Sequence, residues 1–211
     1  MLSVHGRKPA AVVVKPVAKA LLKVGMTPNV TTLVGTAATV LASVVLIPTG
    51  HLVWAALLSI FFAAFDMVDG TMARLRGGGT AFGATLDASC DRITDGALFA
   101  SIAMWLIYVD NAQPYNVAVC LAVLVLSQVI SYVKARGEAG GLRIVGGLIE
   151  RPERLIIALA GLFLEGFGVH HAIEVSLWVL LVGSVFTVGQ RLLYAARDPK
   201  SDGKLAPPAG A

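Results

Sequence analysis

Four aspartates stand where an aspartate is costly. Asp66 and Asp69 fall at i, i+3 in an apolar run over about residues 52–75, and Asp87 and Asp91 fall at i, i+4 in another over about residues 83–108. Ionisable side chains inside such runs are expensive and mark function. On a helix each pair faces one side. Four carboxylates brought together cannot all stay ionised in a low-dielectric place unless cations join them. Their oxygens suit hard divalent ions such as Mg²⁺, with Mn²⁺ an alternative, which keep water and substrate phosphate as remaining ligands. Two such ions about 3.5–4 Å apart clamp a phosphoryl group during its displacement. No His or Cys lies nearby at zinc-ligand spacing, which argues against zinc. Gly70 and Gly83 flank the carboxylates. Either they let helices pack closely or they let a ligand approach the backbone, and spacing leaves both readings open.

The elements that must position these residues are membrane helices. The chain has 211 residues, of which 56% are hydrophobic and 14% charged, against about 25% charged in a soluble domain. Mean hydropathy is +0.78. The fold class expected is all-α, a polytopic membrane protein with six transmembrane helices of roughly 20 residues each. The runs cover about residues 30–49, 52–75, 83–108, 115–136, 152–168 and 175–195. Ahead of them, Lys15, Lys19 and Lys23 recur every four residues among Val12–Val14, Val17, Leu21, Leu22 and Val24. That stripe predicts an amphipathic helix on an anionic membrane surface, and the interruptions argue against a cleaved signal peptide. The organisation expected is a cytoplasmic N-terminus over 1–26, a six-helix domain over 27–196 and a disordered cytoplasmic tail over 197–211. Cys90 and Cys120 lie in apolar runs and read as buried free thiols.

All 17 lysines and arginines except Arg92 fall in the N-terminal segment, in alternate connections or at the C-terminal end. The positive-inside rule then places both termini and the basic connections in the cytoplasm, at the cell membrane, and an even span count follows. The short connection after Leu75 predicts that the two aspartate-bearing spans pack antiparallel. At 1.5 Å per residue, Asp66 and Asp91 lie at matched depth, roughly 12–14 Å from the cytoplasmic ends of their helices.

Written out, residues 66–91 read Asp66-x-x-Asp69-Gly70-x-x-Ala73-Arg74-x8-Gly83-x-x-x-Asp87-x-x-x-Asp91. This resembles the signature of the CDP-alcohol phosphatidyltransferase family, and the resemblance extends over about residues 25–195. The resemblance implies that Asp66, Asp69 and Asp87 hold one metal ion and that Asp66, Asp87 and Asp91 contribute to a second. It implies that Asp91 is the general base toward the acceptor hydroxyl, and that the alkoxide attacks the β-phosphoryl group of CDP-diacylglycerol with release of CMP. Gly70, Ala73 and Gly83 would leave room for the cytidine, with Arg74 and Thr80 binding the nucleotide. Pro28-Asn29-Val30-Thr31-Thr32 resembles the family's other nucleotide-contacting segment. Asp95 continues the series outside the signature and reads as a buried carboxylate paired with Arg92 or a polar neighbour.

Lys134, Arg151, Arg154 and Arg191 gather at cytoplasmic helix ends, where arginine forks and free N–H groups suit a phosphate. The sequences Ser131-Tyr132-Val133-Lys134-Ala135-Arg136 and Ile149-Glu150-Arg151-Pro152-Glu153-Arg154 resemble the actinobacterial phosphatidylinositol phosphate synthases. That subgroup's acceptor is 1D-myo-inositol 3-phosphate, so Ser131, Lys134, Arg151, Arg154 and Arg191 become candidates for an inositol phosphate pocket, with Glu153 orienting an arginine. Glycerol 3-phosphate, the acceptor of phosphatidylglycerophosphate synthases, is the alternative. A divalent-cation transporter is disfavoured because the outer halves of the two aspartate spans carry almost no polar residues. Partners expected are CDP-diacylglycerol, inositol phosphate and membrane lipids, with no nucleic acid. A homodimer is implied by the family alone.

Overall fold

The computed structural model describes residues 7–63 and 65–203. The side chains of residues 7–13 and of Asp66 lie outside the described residues. Eight helices are described: α1 Arg7–Lys23, α2 Pro28–Leu46, α3 Leu52–Ala63, α4 Phe65–Leu75, α5 Ala81–Tyr108, α6 Pro114–Ala139, α7 Arg151–Gly166 and α8 Ala172–Ala196. Among the described residues there is no strand. Each expected apolar run coincides with a helix, or with the pair α3 and α4.

Helix starts are set by short-range chemistry that hydropathy does not register. Thr27 precedes Pro28 and its side chain accepts from the Val30 N–H at 3.3 Å. Thr80 does the same for α5, accepting from the Gly83 N–H at 3.0 Å. These are N-caps that satisfy otherwise orphaned donors. Pro114 and Pro152 open α6 and α7, where a missing N–H costs nothing.

Four stretches are long and apolar enough to cross a membrane by length and composition: Pro28–Leu46, Leu52–Leu75, Pro114–Ala139 and Ala172–Ala196. Helix α5 is longer still, at 28 residues, but carries Asp87, Asp91, Arg92 and Asp95. Helix α7 has only 16 residues. Leu33, Leu41, Val44, Val182 and Val185 are exposed on α2 and α8. So many bare aliphatic side chains suit lipid as the surroundings.

The interior joins Phe99, Ile102 and Leu106 of α5 to Val123 of α6, Leu162 of α7, and Leu177 and Leu180 of α8. Between membrane helices close packing, rather than escape from water, supplies the attraction. Small residues make it feasible. A Cβ on Gly161 would lie 2.4 Å from the Ser176 hydroxyl, and one on Gly183 would lie 2.5 Å from Ile149 Cγ1.

Helix α1 forms over the basic N-terminal stretch, with Lys15, Lys19 and Lys23 exposed. Its other face places Ala18, Leu21 and Leu22 against Val68 and Met72 of α4. The aspartate helices depart from expectation. Among the described residues, α4 and α5 do not pack closely on each other, and each packs on α2 instead. Helix α2 presents Gly35, Thr31 and Thr32 there, so it approaches more closely than two helices with facing carboxylates can.

The tail expected to be disordered from Arg197 is tied down at its start. Asp198 accepts the Arg143 N–H and the Lys200 N–H, each at 2.8 Å. From residue 204 onward the tail lies outside the described residues.

Candidate active site

The N-terminal end of α2 organises one side of the site. Thr32 Oγ1 donates to Asp69 Oδ2, and Asp69 is only 6% exposed. Thr31 Oγ1 contacts Met72 Sδ at 3.4 Å, one turn along α4 from Val68 and Asp69. Asn29 and Thr80 converge on Gly83: a Cβ there would lie 3.1 Å from Thr80 Oγ1 and 3.2 Å from Asn29 Oδ1. Three of the residues expected around the nucleotide are thus brought together. Arg74 bonds Thr71 Oγ1 at 2.8 Å, and its Nη1 would lie 3.7 Å from a Cβ on Gly70. Val30 is exposed and Ala73 half-buried on the same helices.

The other side is a charged seam between α5 and α7. Arg151 Nη2 meets Asp91 Oδ1 at 2.9 Å and Thr94 Oγ1 at 3.3 Å. Arg154 Nη2 meets Asp95 Oδ2 at 2.5 Å, with both side chains buried. Arg92 approaches the same Asp95 oxygen at 3.4 Å. Asp95 therefore pairs first with Arg154 and second with Arg92. Breaking a buried pair of this kind leaves a charge without compensation.

A cavity opens below this seam. It is lined by Gly35, Thr36, Thr39 and Ser43 of α2, Ser59 and Ala63 of α3, Cys90, Asp91, Thr94 and Leu98 of α5, and Arg151, Leu155 and Leu159 of α7. Most of the α2 and α3 lining is small or hydroxylated, and leucines of α5 and α7 close the other side.

The remaining acceptor candidates sit on α6 and α8. Ser131 donates back to the Ser127 carbonyl at 3.1 Å. Lys134 lies 4.0 Å from Glu138, with both partly exposed. Arg191 is 4% exposed. It donates to the Gly146 carbonyl at 3.1 Å, the Ile130 carbonyl at 2.6 Å and Glu150 at 3.2 Å. Glu153, expected to orient an arginine, lies half-buried in the first turn of α7.

Thr94 and Glu150 were not expected from the sequence. Thr94 lies three residues after Asp91, a spacing that could have flagged it. Glu150 has no local signal, because its partner Arg191 is 41 residues away.

The donor chemistry at Asp69, Asp87 and Asp91 is all oxygen, with one carboxylate oriented by a hydroxyl, and this fits a hard divalent cation. Among the described residues, no group of three or more His, Cys, Asp or Glu side chains is gathered as a metal site. The Asp66 side chain, which the sequence expects in both ion sites, lies outside the described residues.

Comparison with known proteins identifies the family. Residues 25–189 match the CDP-alcohol phosphatidyltransferase family. The phosphatidylinositol phosphate synthase of Corynebacterium glutamicum is 60% identical over 211 residues, covering 100% of this chain and 96% of that protein. That of Mycobacteroides abscessus is 51% identical, covering 94% of this chain and 90% of that protein. A crystal structure of the Mycobacterium tuberculosis phosphatidylinositol phosphate synthase with CDP-DAG bound superposes with a TM-score of 0.89 at 48% identity, covering 93% of this chain and 100% of the other. The same protein in complex with manganese and citrate gives a TM-score of 0.86, covering 92% of this chain and 93% of the other. With the matching region spanning α2 to most of α8 and the whole aspartate signature in place, the chain belongs to the CDP-alcohol phosphatidyltransferase family.

Proposed function

We propose that this chain is a phosphatidylinositol phosphate synthase. It transfers the phosphatidyl group of CDP-diacylglycerol to the hydroxyl of 1D-myo-inositol 3-phosphate and releases CMP. The single observation that carries the reading is the pairing of Arg151 with Asp91 at 2.9 Å. It sets a phosphate-binding type of side chain beside the carboxylate proposed to take the acceptor's proton. The high identity to synthases of that name supports the choice of acceptor.

In this reading Asp66, Asp69, Asp87 and Asp91 hold two Mg²⁺ or Mn²⁺ ions, and a relative's structure in complex with manganese supports that class of ion. When bound, such ions neutralise phosphoryl charge and orient the leaving group. Thr32 orients Asp69. Asn29, Val30, Thr31, Thr32, Gly70, Ala73, Arg74, Thr80 and Gly83 form the CDP-diacylglycerol site. Ser131, Lys134, Arg151, Arg154 and Arg191 form the acceptor pocket, with Asp95 neutralising and fixing Arg154. Asp91 accepts the hydroxyl proton. Six spans, a cytoplasmic site and a homodimer complete the reading. The distribution of lysine and arginine supports the orientation, and family resemblance supports the dimer.

The test is CMP release by the purified protein in detergent with CDP-diacylglycerol and Mg²⁺. Turnover is expected with inositol phosphate and not with free inositol. Turnover with glycerol 3-phosphate alone would move the assignment to a phosphatidylglycerophosphate synthase.

A further inference from the structure

The connection from α6 to α7, residues 140–150, runs as a strap along α8. The Leu148 N–H donates to Gln190 Oε1 at 2.9 Å, and the Ile149 N–H donates to Thr187 Oγ1 at 2.8 Å. Gly147 has a φ of +155°, and a Cβ there would lie 2.7 Å from Thr187 Cγ2, so the strap lies directly against the helix. Glu150 follows as the N-cap of α7. A carboxylate there is drawn to the free N–H groups and the positive end of the helix, yet its side chain makes no capping bond. It turns instead to Arg191 of α8, at 3.2 Å.

Arg191 needs that partner. Its side chain is almost wholly buried, and its two other bonds go to neutral carbonyls of the strap and of α6. A guanidinium carries five N–H donors, so a fork held this way keeps donors for a further anion. Glu150 is joined directly in the chain to Arg151, which contacts Asp91 and Thr94. One carboxylate thus links the arginine at the end of α8 to the first turn of α7.

We propose that Glu150 is a positioning residue for recognition of the acceptor's phosphate: it fixes the Arg191 fork in register with Arg151. The inference rests on the reading that the acceptor carries a phosphate. Glu150 touches neither substrate and acts through Arg191. The strap's backbone bonds to Gln190 and Thr187 are independent of the carboxylate, so removing the charge leaves the strap attached.

The experiment is steady-state kinetics of purified Glu150→Gln, Glu150→Asp, Arg191→Lys and the Glu150→Gln/Arg191→Lys pair, with CDP-diacylglycerol and inositol phosphate each varied. In Glu150→Gln the KM for inositol phosphate is expected to rise about tenfold or more, with the KM for CDP-diacylglycerol nearly unchanged, while the Tm falls because buried Arg191 loses its carboxylate. Glu150→Asp recovers part of the loss. In the Arg191→Lys background, Glu150→Gln adds at most about a twofold further change, because both act through one fork. An unchanged acceptor KM in Glu150→Gln overturns the proposal, as does a full additional loss in the double variant. If Glu150→Gln fails to fold, the same KM comparison in Glu150→Asp decides, an unchanged acceptor KM again counting against it. Should wild-type protein show no turnover with inositol phosphate, the proposed function fails, whatever Glu150 does.

Discussion

Asp91 and Asp95 lie one turn apart on α5 and meet different arginines. Asp91 keeps about a fifth of its side chain exposed and faces Arg151, whereas Asp95 is fully buried against Arg154. Their substitutions should therefore fail differently. Asp91→Asn is expected to lower kcat by about 10²–10⁴, the usual worth of a general base, while CDP-diacylglycerol still binds. CMP release measured beside ligand-induced thermal shift checks it, and retained turnover would remove Asp91 as the base. Arg154→Met removes the nearest partner of buried Asp95 and leaves it to Arg92 at 3.4 Å, so it should cost stability, up to the about 3–5 kcal/mol of a fully uncompensated buried charge. Combining it with Asp95→Leu should restore most of that loss in thermal unfolding. Sequence spacing identified the signature aspartates because they recur at helical intervals. It offered Arg92, three residues away, as the partner of Asp95. Arg154, which holds Asp95 more closely, is 59 residues distant and invisible to local spacing.

The helices themselves were legible, since long apolar runs admit little else; their starts moved by no more than three residues, to 28 and 81 where Thr27 and Thr80 cap them and to 172 for α8. The relation between helices was not. A short connection suggested that the two aspartate helices pack on each other, but connection length does not say which third helix has the small face to lie between them. The strap was equally hidden, because its order comes from acceptors on α8. Its packing is testable at Gly183, where Val would drive a Cβ into Ile149. Overpacking of this kind costs about 1–3 kcal/mol and should lower the Tm in detergent. The strap's outer end is held by Asp198, whose carboxyl is kept below its ordinary range chiefly by the Arg143 N–H, with the Lys200 N–H second. A lowered value means that the tether is complete above the ordinary carboxylate pKa of about 4 and is lost as the pH falls through the lowered one. After correction for intrinsic rates, hydrogen exchange at the Arg143 amide should stay slow at neutral pH and quicken only on strong acidification. In Asp198→Ala it should be fast throughout.

For the whole molecule, the asymmetry of lysine and arginine predicts which end faces the cytoplasm. Cys90 and Cys120 are buried, so single reporter cysteines can be read against a silent background. Gln113→Cys should react with a membrane-impermeant maleimide in intact cells, and Ser201→Cys only after permeabilisation; the reverse pattern would invert the assigned topology. The bundle's plan has a further consequence. The two aspartate-bearing helices lean on α2 rather than on each other, and α2 meets α4 through Gly35, where even a Cβ would lie 3.1 Å from Phe65 Cβ. The breadth of the reactive centre is thus set in part by how closely α2 can meet α4. A lipophilic compound wedged between Gly35 and Phe65 would spread the carboxylates apart, and its inhibition would be noncompetitive toward the water-soluble acceptor.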